Sequence, residues 1–519
     1  LYKGKQNLPI KSICQISQNE LCLGTDGKGT KIFNIPKQLI TDYPFDNNYL
    51  DSGTSKVHSV LKDNAGNLWI AIYQKGVMMI PAQPNSFKYI GYKSINKNII
   101  GSNCITSLCR DHEGILWIGT DNDGIYGITT ELKQRVHYAP HDSPSSVPST
   151  VFGLYEDSEH NLWFGSYTNG LGRLDKKTGQ CSYLQNLTDK NGNRIQRVYD
   201  LVEDQDKRLW IATMGAGLFY YDLKTGQSVY DPKFNAATKK YKWISCLLYA
   251  GDNHLYVGTY DGIRCIDLST DDFKTEEILS RHIIHSLYED PQGNIWIGNS
   301  EGLAEWNPQT QQLKTYTTAH GLSSNAVYAI KGDGQDNLWI STNAGMSRFN
   351  LNTHTFSNFY ADDGLQGNEF SKNASFADHN GILWFGGTNG ITYFNPQEIT
   401  NPAKKWNVRI IDFYLHDQPI RKGMLSGGKE IINTSVFEAR DFHLSHNDNA
   451  FSIEFSTREL NNSERITYLY TINNTPWVKL PKGVNRVSFS DLPPGDYHFR
   501  IKAEDYLLES DTDEITIHI

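Results

Sequence analysis

Seven aspartates, Asp63, Asp111, Asp157, Asp204, Asp290, Asp333 and Asp378, each stand six residues ahead of a tryptophan. Carboxylates at fixed spacing could hold calcium, and "DNDG" at 121–124 has some of the look of a calcium loop. The full D-x-[DN]-x-[DN]-G…E ligand pattern is absent, however, and Asp side chains commonly close tight turns on their own backbone. These aspartates are therefore read as turn residues. Two carboxylates facing each other across a pocket could hydrolyse a glycosidic bond. Asp200 is the lone candidate for that chemistry, and no partner for it is visible. Zinc-protease, nucleophile-elbow and phosphate-loop signatures do not occur. The sixteen histidines are scattered, and the seven cysteines form no CxxC pair. Most cysteines fall in apolar slots and read as small core fillers, with Cys14/Cys22 and Cys246/Cys265 the pairs to check for a bridge. No cofactor, metal site or catalytic residue is expected.

The elements behind these residues are repeats. Aligned on the Leu-Trp dipeptide, nine copies follow one another at spacings of 40 to 48 residues, with Cys22 and Tyr256 replacing tryptophan in two of them. That period is the one in which β-propeller blades fall. Each copy reads as four short strands: in one of them "VYDLVED", "RLWIAT", "GLFYYD" and an edge strand ending in an aromatic, separated by Gly- and Asp-rich turns. The first strand of each copy carries a small or fairly small residue at its third position: Ser12, Ser59, Ser107, Gly153, Asp200, Cys246, Ser286, Ala329 and Ala374. Such a series suits the crowded centre of a propeller, with the tryptophans buried further out between blades. The Leu-Trp sentence stops near residue 400 and alternating strands take over. "LPPGDYHFRIKA" at 492–503 has the arrangement of a tyrosine corner, so 401–519 reads as an immunoglobulin- or fibronectin-like sandwich.

Bulk properties narrow the classes. The net charge of −9 is spread out and no Lys/Arg run occurs, which argues against a nucleic-acid partner. No apolar run approaches the roughly 18–20 residues of a membrane span. The chain opens at Leu1 in mid-pattern and is read as a mature or excised part of something longer.

The blade sentence V-x-x-L-x-x-D-x-x-G-x-L-W-I-G-T-x-x-G-L resembles the regulator-propeller repeat, and "YLYTINNTPWVKL" with "LPPGDYHFRIKAED" resembles the Tyr-rich domain that follows it. Together they resemble the periplasmic sensor region of hybrid two-component systems from glycan-degrading bacteria. "GLSSNAVYAI" and "GLQGNEFSKNASF" look like the start of the last two blades in that family. The resemblance implies an all-β chain: a seven-bladed propeller preceded by blades of a second propeller and followed by an immunoglobulin-like sandwich. Nine copies are seven plus two, so 1–82 is expected as the last two blades of a truncated first propeller, 83–400 as the complete ring and 401–519 as the sandwich. "PNSFKYIGYKS" at 84–94 is the expected junction. The resemblance further implies a membrane-tethered protein whose missing cytoplasmic part is a histidine kinase, a periplasmic location for this region, and a homodimer through the sandwich.

In such a ring the second-to-third-strand turns and the inter-blade connections share one face, the usual place for a ligand site. Those segments carry Tyr167, Asn169, Met214, Tyr260, Arg281, His282, Asn299 and Glu369, together with Tyr241. Asp200 on the axis and Lys372 and Asn373 in the polar first strand of the last blade complete the candidate set. Amides and carboxylates bond sugar hydroxyls and Tyr faces stack on pyranose rings, so an oligosaccharide is the expected ligand. A protein-docking scaffold is the alternative. A propeller glycosidase or lyase ranks below it: Asp111, Gly114 and Trp117 resemble a sialidase Asp box, but with one extra residue of spacing and no preceding Ser.

Overall fold

The computed structural model describes residues 8–43, 54–63, 66–80, 82, 86–92, 98–101, 103–129, 131–189, 191–230, 242–269, 274–399, 407–457, 466–504 and 509–519. It is all-β apart from three short 3-10 turns among these residues. Chain packing divides it into two units, 1–399 and 400–519.

The repeated Asp sets the local structure of each copy. In 198–230 the strands Val198–Glu203, Arg208–Thr213, Leu218–Asp222 and Gln227–Tyr230 form an antiparallel meander. At its first turn one Asp204 oxygen accepts the Asp206 and Arg208 amides at 2.9 and 3.0 Å, and the other accepts the Trp210 indole N–H at 2.8 Å. The same carboxylate-to-indole bond joins Asp63 to Trp69, Asp111 to Trp117, Asp157 to Trp163 and Asp290 to Trp296, at 2.7–2.8 Å. Asp and Trp thus form one device: the carboxylate closes the turn and fixes the ring that packs between sheets. The indoles of Trp339 and Trp384 lack this partner. The corresponding oxygens are taken by the Asn337 side chain on Asp333 and by the Arg110 guanidinium on Asp378, both at 2.7 Å.

Seven four-stranded sheets follow one another in order, with inner strands Ile105–Arg110, Val151–Glu156, Val198–Glu203, Ile244–Ala250, Ile284–Glu289, Val327–Gly332 and Phe370–Ala377. Each inner strand neighbours the next, and the last neighbours the first, so the sheets close into a ring. The outer strand of the seventh sheet is Lys88–Ile90, which pairs with Gly390–Phe394. The stretch expected as a junction therefore supplies a closing strand, tying the start of the ring to its end.

Blade contacts explain the Gly of the repeated sentence. The β-branched residue that opens each of several inner strands lies on the Gly of the preceding sheet's second strand. A Cβ on Gly165 would stand 2.6 Å from the Val198 carbonyl oxygen and 2.8 Å from a Val198 methyl. Crowding of this kind also accounts for the small third positions, since a Cβ contact at Gly153 falls 3.0 Å from the Tyr199 carbonyl of the next inner strand. Further out, Trp117 packs with Val151, Leu162, Phe164 and Leu174 of the following sheet. A buried Trp removes 150–250 Å² from water, about 4–6 kcal/mol by area, as an upper bound.

Two more sheets precede the ring: Ile10–Ser17, Glu20–Thr25, Thr30–Asn34 and Leu39–Asp42, then Val57–Lys62, Leu68–Ile72 and Gly76–Ile80. Their inner strands lie side by side and share a core of Cys22, Val57, Val60, Leu68, Ile70 and Ile72. The ring closes without them. All seven cysteines are free, including Cys14 and Cys22, which face each other across the first hairpin. The pairs examined for a bridge therefore form none. Cys246 and Cys265 are buried, and burial raises both thiols, Cys265 to about 12.

In the second unit a four-stranded and a five-stranded sheet enclose a core that includes Phe413, Phe442, Phe455, Phe499 and Ile501. The tyrosine corner is present: the Tyr497 hydroxyl donates to the Pro493 carbonyl at 2.6 Å.

Candidate functional site

One end of the ring is built from the second-to-third-strand turns and the segments leading into the inner strands. Backbone bonds tie them together: Asp121 N–H to the Cys104 carbonyl, Met214 to Arg197, Tyr260 to Trp243 and Ser300 to Ile283, at 3.0–3.1 Å. Just below, the inner strands carry a bulge at their second residue, where two residues oppose one on the neighbouring strand. The bulged residues include Phe152, Tyr199, His285 and Tyr328. A bulge re-aims its side chain, and here the aromatics join the turn residues above them.

The result is an aromatic arc around the mouth of the axis. The Arg197 guanidinium lies 4.9 Å from the centre of Tyr167, whose ring meets Phe152 edge-on at 5.9 Å. Phe152 stacks on Tyr199 at 4.4 Å. Tyr260 lies close enough to raise the Tyr199 phenol, and it meets Trp243 edge-on at 5.6 Å. Burial, then the neighbouring Tyr260, push the Tyr199 phenol up to about 12, so it stays a neutral donor. Tyr167 and Trp243 remain 43% and 45% exposed, unusual for such large rings, and so offer open faces to a ligand. On the other side His285 meets Tyr328 at 5.4 Å, and the Lys372 ammonium stands 5.7 Å over Tyr328. Burial and the Lys372 charge hold His285 down at about 3, so this imidazole is neutral. Burial also lowers Lys372 itself.

Asp200 lies deeper, on the axis. One oxygen accepts the Leu201 amide at 2.9 Å; the other accepts the Leu247 amide at 2.9 Å and the Asn373 side-chain amide at 3.1 Å. Burial raises its carboxyl to about 6, against the pull of these bonds and of the nearby Lys331 charge. Burial lowers Lys331 in turn, against the opposing pull of Asp200. Asn373 reaches Asp200 because the seventh inner strand is distorted: Phe370 pairs with Gly387 and Ser375 with Phe385, so residues 371–374 loop out of register.

Of the candidates read from sequence, the structure gathers Tyr167, Tyr260 and Lys372 at the mouth and Asp200 and Asn373 on the axis. Met214 lies beside the arc through its bridge to Trp243. Glu369 is exposed and its charge reaches Tyr328. Asn169 is exposed at its turn, next to Tyr183 and with its carbonyl bonded by Arg194. Arg281 is exposed in a left-handed turn, and His282 is paired with Glu301 at 3.2 Å and with the Ser280 carbonyl. Asn299 is buried at 3% exposure, its side chain accepting the Glu301 amide. That side chain closes its own turn. Tyr241 lies outside the described residues. In "DNDG", Asp123 is occupied by Tyr126 and Asn103 and Asp121 by Thr150. Sequence reading missed Phe152, Tyr199, Trp243, His285 and Tyr328. For all but Trp243, which stands just ahead of its strand, the signal was an aromatic or His one residue before the small position, in a strand otherwise read as axial packing.

Five stretches, 99–122, 145–168, 194–215, 278–301 and 321–344, match the two-component regulator propeller repeat. Each ends at or just past a mouth turn or the strand leading to it. The chain is 23% identical over 505 residues to histidine kinase P4 of Formosa agariphila, covering 95% of this chain and 30% of that one. It thus spans about a third of the length of that kinase. Its fold is similar to the extracellular domain of BT3049, assigned to a hybrid two-component system of B. thetaiotaomicron, with a TM-score of 0.80 at 24% identity over 98% of this chain and 68% of that one. A second extracellular domain from that organism, BT4673, gives 0.53 at 19% identity, over 100% of this chain and 70% of that one. Among the described residues no helix is long and apolar enough to cross a membrane.

Proposed function

We propose that this chain, built on regulator-propeller repeats, is the periplasmic ligand-sensing region of a hybrid two-component histidine kinase. In this reading an oligosaccharide cut from a complex glycan binds at the mouth of the seven-sheet ring. Two chains associate through their sandwiches, and ligand binding biases the kinase beyond the membrane to regulate glycan-utilisation genes. The observation that carries the reading is the arc from Arg197 through Tyr167, Phe152, Tyr199 and Tyr260 to Trp243. Partly open rings beside fixed amide, carboxylate and ammonium groups suit a sugar, whose faces are apolar and whose rim is hydroxyl-rich. The family match and the named relatives support the sensor part.

The test is calorimetric titration of the chain, and of a longer version with further N-terminal blades, against a panel of plant and host oligosaccharides. Binding that disappears in a Tyr167→Ala/Tyr260→Ala double variant with an unchanged melting curve supports the mouth. Binding that survives the double variant removes the Tyr167–Tyr260 arc from consideration, and binding confined to the longer version moves the site towards those blades. No binding by either well-folded chain favours a docking scaffold.

A further inference from the structure

At the opposite end of the ring, the first turns of the first two sheets bring together two imidazoles and a carboxylate. His112 lies in the turn between Asp111 and Ile115, and His160 in the turn between Asp157 and Asn161. Glu156 ends the intervening inner strand Val151–Glu156. The two rings stack with centres 3.8 Å apart, and His112 Nδ1 is 2.7 Å from Glu156 Oε1. One ligand atom from each of the three residues lies within 4.8 Å of the others. His160 holds φ +67, at a turn position where Gly114, Gly293 and Gly381 supply the left-handed backbone.

The next pair of sheets shows what the arrangement replaces. Glu203, Lys207 and Ser158 occupy the equivalent places, and Lys207 lies 3.4 Å from Glu203 and bonds Ser158. Substituting His for both the Lys and the Ser converts an ion pair into a two-imidazole, one-carboxylate set. We propose that His112, Glu156 and His160 bind a divalent transition-metal ion of the zinc type, clamping the first two sheets together at the face away from the mouth. Two His nitrogens and a carboxylate oxygen are ligands such an ion takes, with water at the fourth position. Tetrahedral zinc at 2.0–2.1 Å from each ligand separates them by roughly 3.3 Å, so the exposed His112 and His160 side chains must turn out of their stack to aim both lone pairs at one ion. Lys176, 2.5 Å from Glu156 Oε1 and 3.2 Å from Asp111 Oδ2, shares that oxygen and weakens the site without filling it.

The experiment titrates the 519-residue chain with Zn²⁺ in competition with a chromophoric chelator, beside His112→Ala, His160→Ala and Glu156→Gln. A His443→Ala variant controls for the other stacked pair, His443 and His518, 4.7 Å apart. One equivalent of zinc should bind, weakened about 10- to 100-fold by either His112→Ala or His160→Ala and unchanged by His443→Ala. The melting midpoint should rise with Zn²⁺ in the parent and not in His160→Ala. No saturable binding, or binding indifferent to the two histidines, overturns the site and leaves a stacked imidazole pair.

Discussion

The side-chain amide of Asn373 donates to the Asp200 carboxylate at 3.1 Å, across the axis of the ring and 173 positions away in sequence. The bond joins the third and seventh inner strands, which are not neighbours, and it ties ring closure to a carboxyl whose protonation is poised near neutrality. It turns the lone acidic residue of the axis into a structural strut.

The pH dependence follows in sign. Asp200 titrates at about 6 in the folded chain against 3.8 ordinarily, so the folded state holds the extra proton between these values. Its contribution to stability is full below 3.8 and is lost as pH rises through 6. Relative to the parent, Asp200→Asn should gain about 1–3 kcal/mol on going from pH 4 to pH 7, the range set by 1.36 kcal/mol per unit and discounted for access of water. Asn373→Ala removes a donor to the ionised form and should steepen the parent's profile. Urea unfolding at several pH values measures both, and a parallel Asp200→Asn profile would falsify the assignment.

His285 acts with the opposite sign. Its imidazole is held at about 3, below the ordinary 6.5, so its contribution is present above 6.5 and lost as pH falls towards 3. His285→Asn should flatten the acid limb between pH 6 and 4. The same unfolding series reads it, and an acid limb identical to the parent's would show that this imidazole takes up its proton freely.

The Asp–Trp device predicts unequal costs for one substitution. Asp111 accepts from Ile115, Trp117 and Lys176; burial opposes its ionisation, but those bonds hold its carboxyl below the ordinary range. Asp111→Ala should cost about 2–4 kcal/mol by leaving the buried Ile115 amide and Trp117 indole without their acceptor and Lys176 with Glu156 alone. Asp333 bonds no indole, and Asp333→Ala should cost about 1–2 kcal/mol. Melting curves of the two variants compare them directly, and equal losses would mean the indole bond adds nothing.

Gly165 leaves no room for a side chain. Its added Cβ would meet backbone of the next inner strand at 2.6 Å, so Gly165→Ala forces two sheets apart and should cost about 1–3 kcal/mol. Gly293, in an exposed turn with open space around it, has no such neighbour, although its φ of +80 strains Ala there by about 1 kcal/mol. Thermal unfolding of both should show the larger drop at Gly165.

Trp243 should separate binding from folding. At 45% exposure just over half of its area is buried, so Trp243→Ala should cost about 2–3 kcal/mol by area, as an upper bound, while a stacked sugar would lose about tenfold or more in affinity. Trp243→Phe should restore most of the affinity. An oligosaccharide that binds Trp243→Ala as tightly as the parent would move the contact to the Lys372 and Tyr328 side of the mouth.

The sequence by itself determined the repeat, the four-strand order of most copies, the small positions of the inner strands and the tyrosine corner; the second and ninth copies supply three described strands each, the ninth sheet being completed by Lys88–Ile90. These are local: each is written in turn chemistry and alternation within one copy, and each copy must bury its faces against the next. The shared face of the second-to-third-strand turns and the inter-blade connections was legible for the same reason, because a meander of even strands fixes which loops emerge together. Three things were decided only by tertiary structure. The aromatic arc depends on bulges that turn Phe152, Tyr199, His285 and Tyr328 towards the mouth, and the aromatic or His ahead of each small position shows in sequence without showing which way it points. The Asp200–Asn373 strut and the closure by Lys88–Ile90 join residues hundreds of positions apart or on opposite sides of the ring. The pairing of His112 with His160 is likewise a contact between copies. Periodicity sets each sheet's interior, whereas contacts between sheets exist only once the ring has closed.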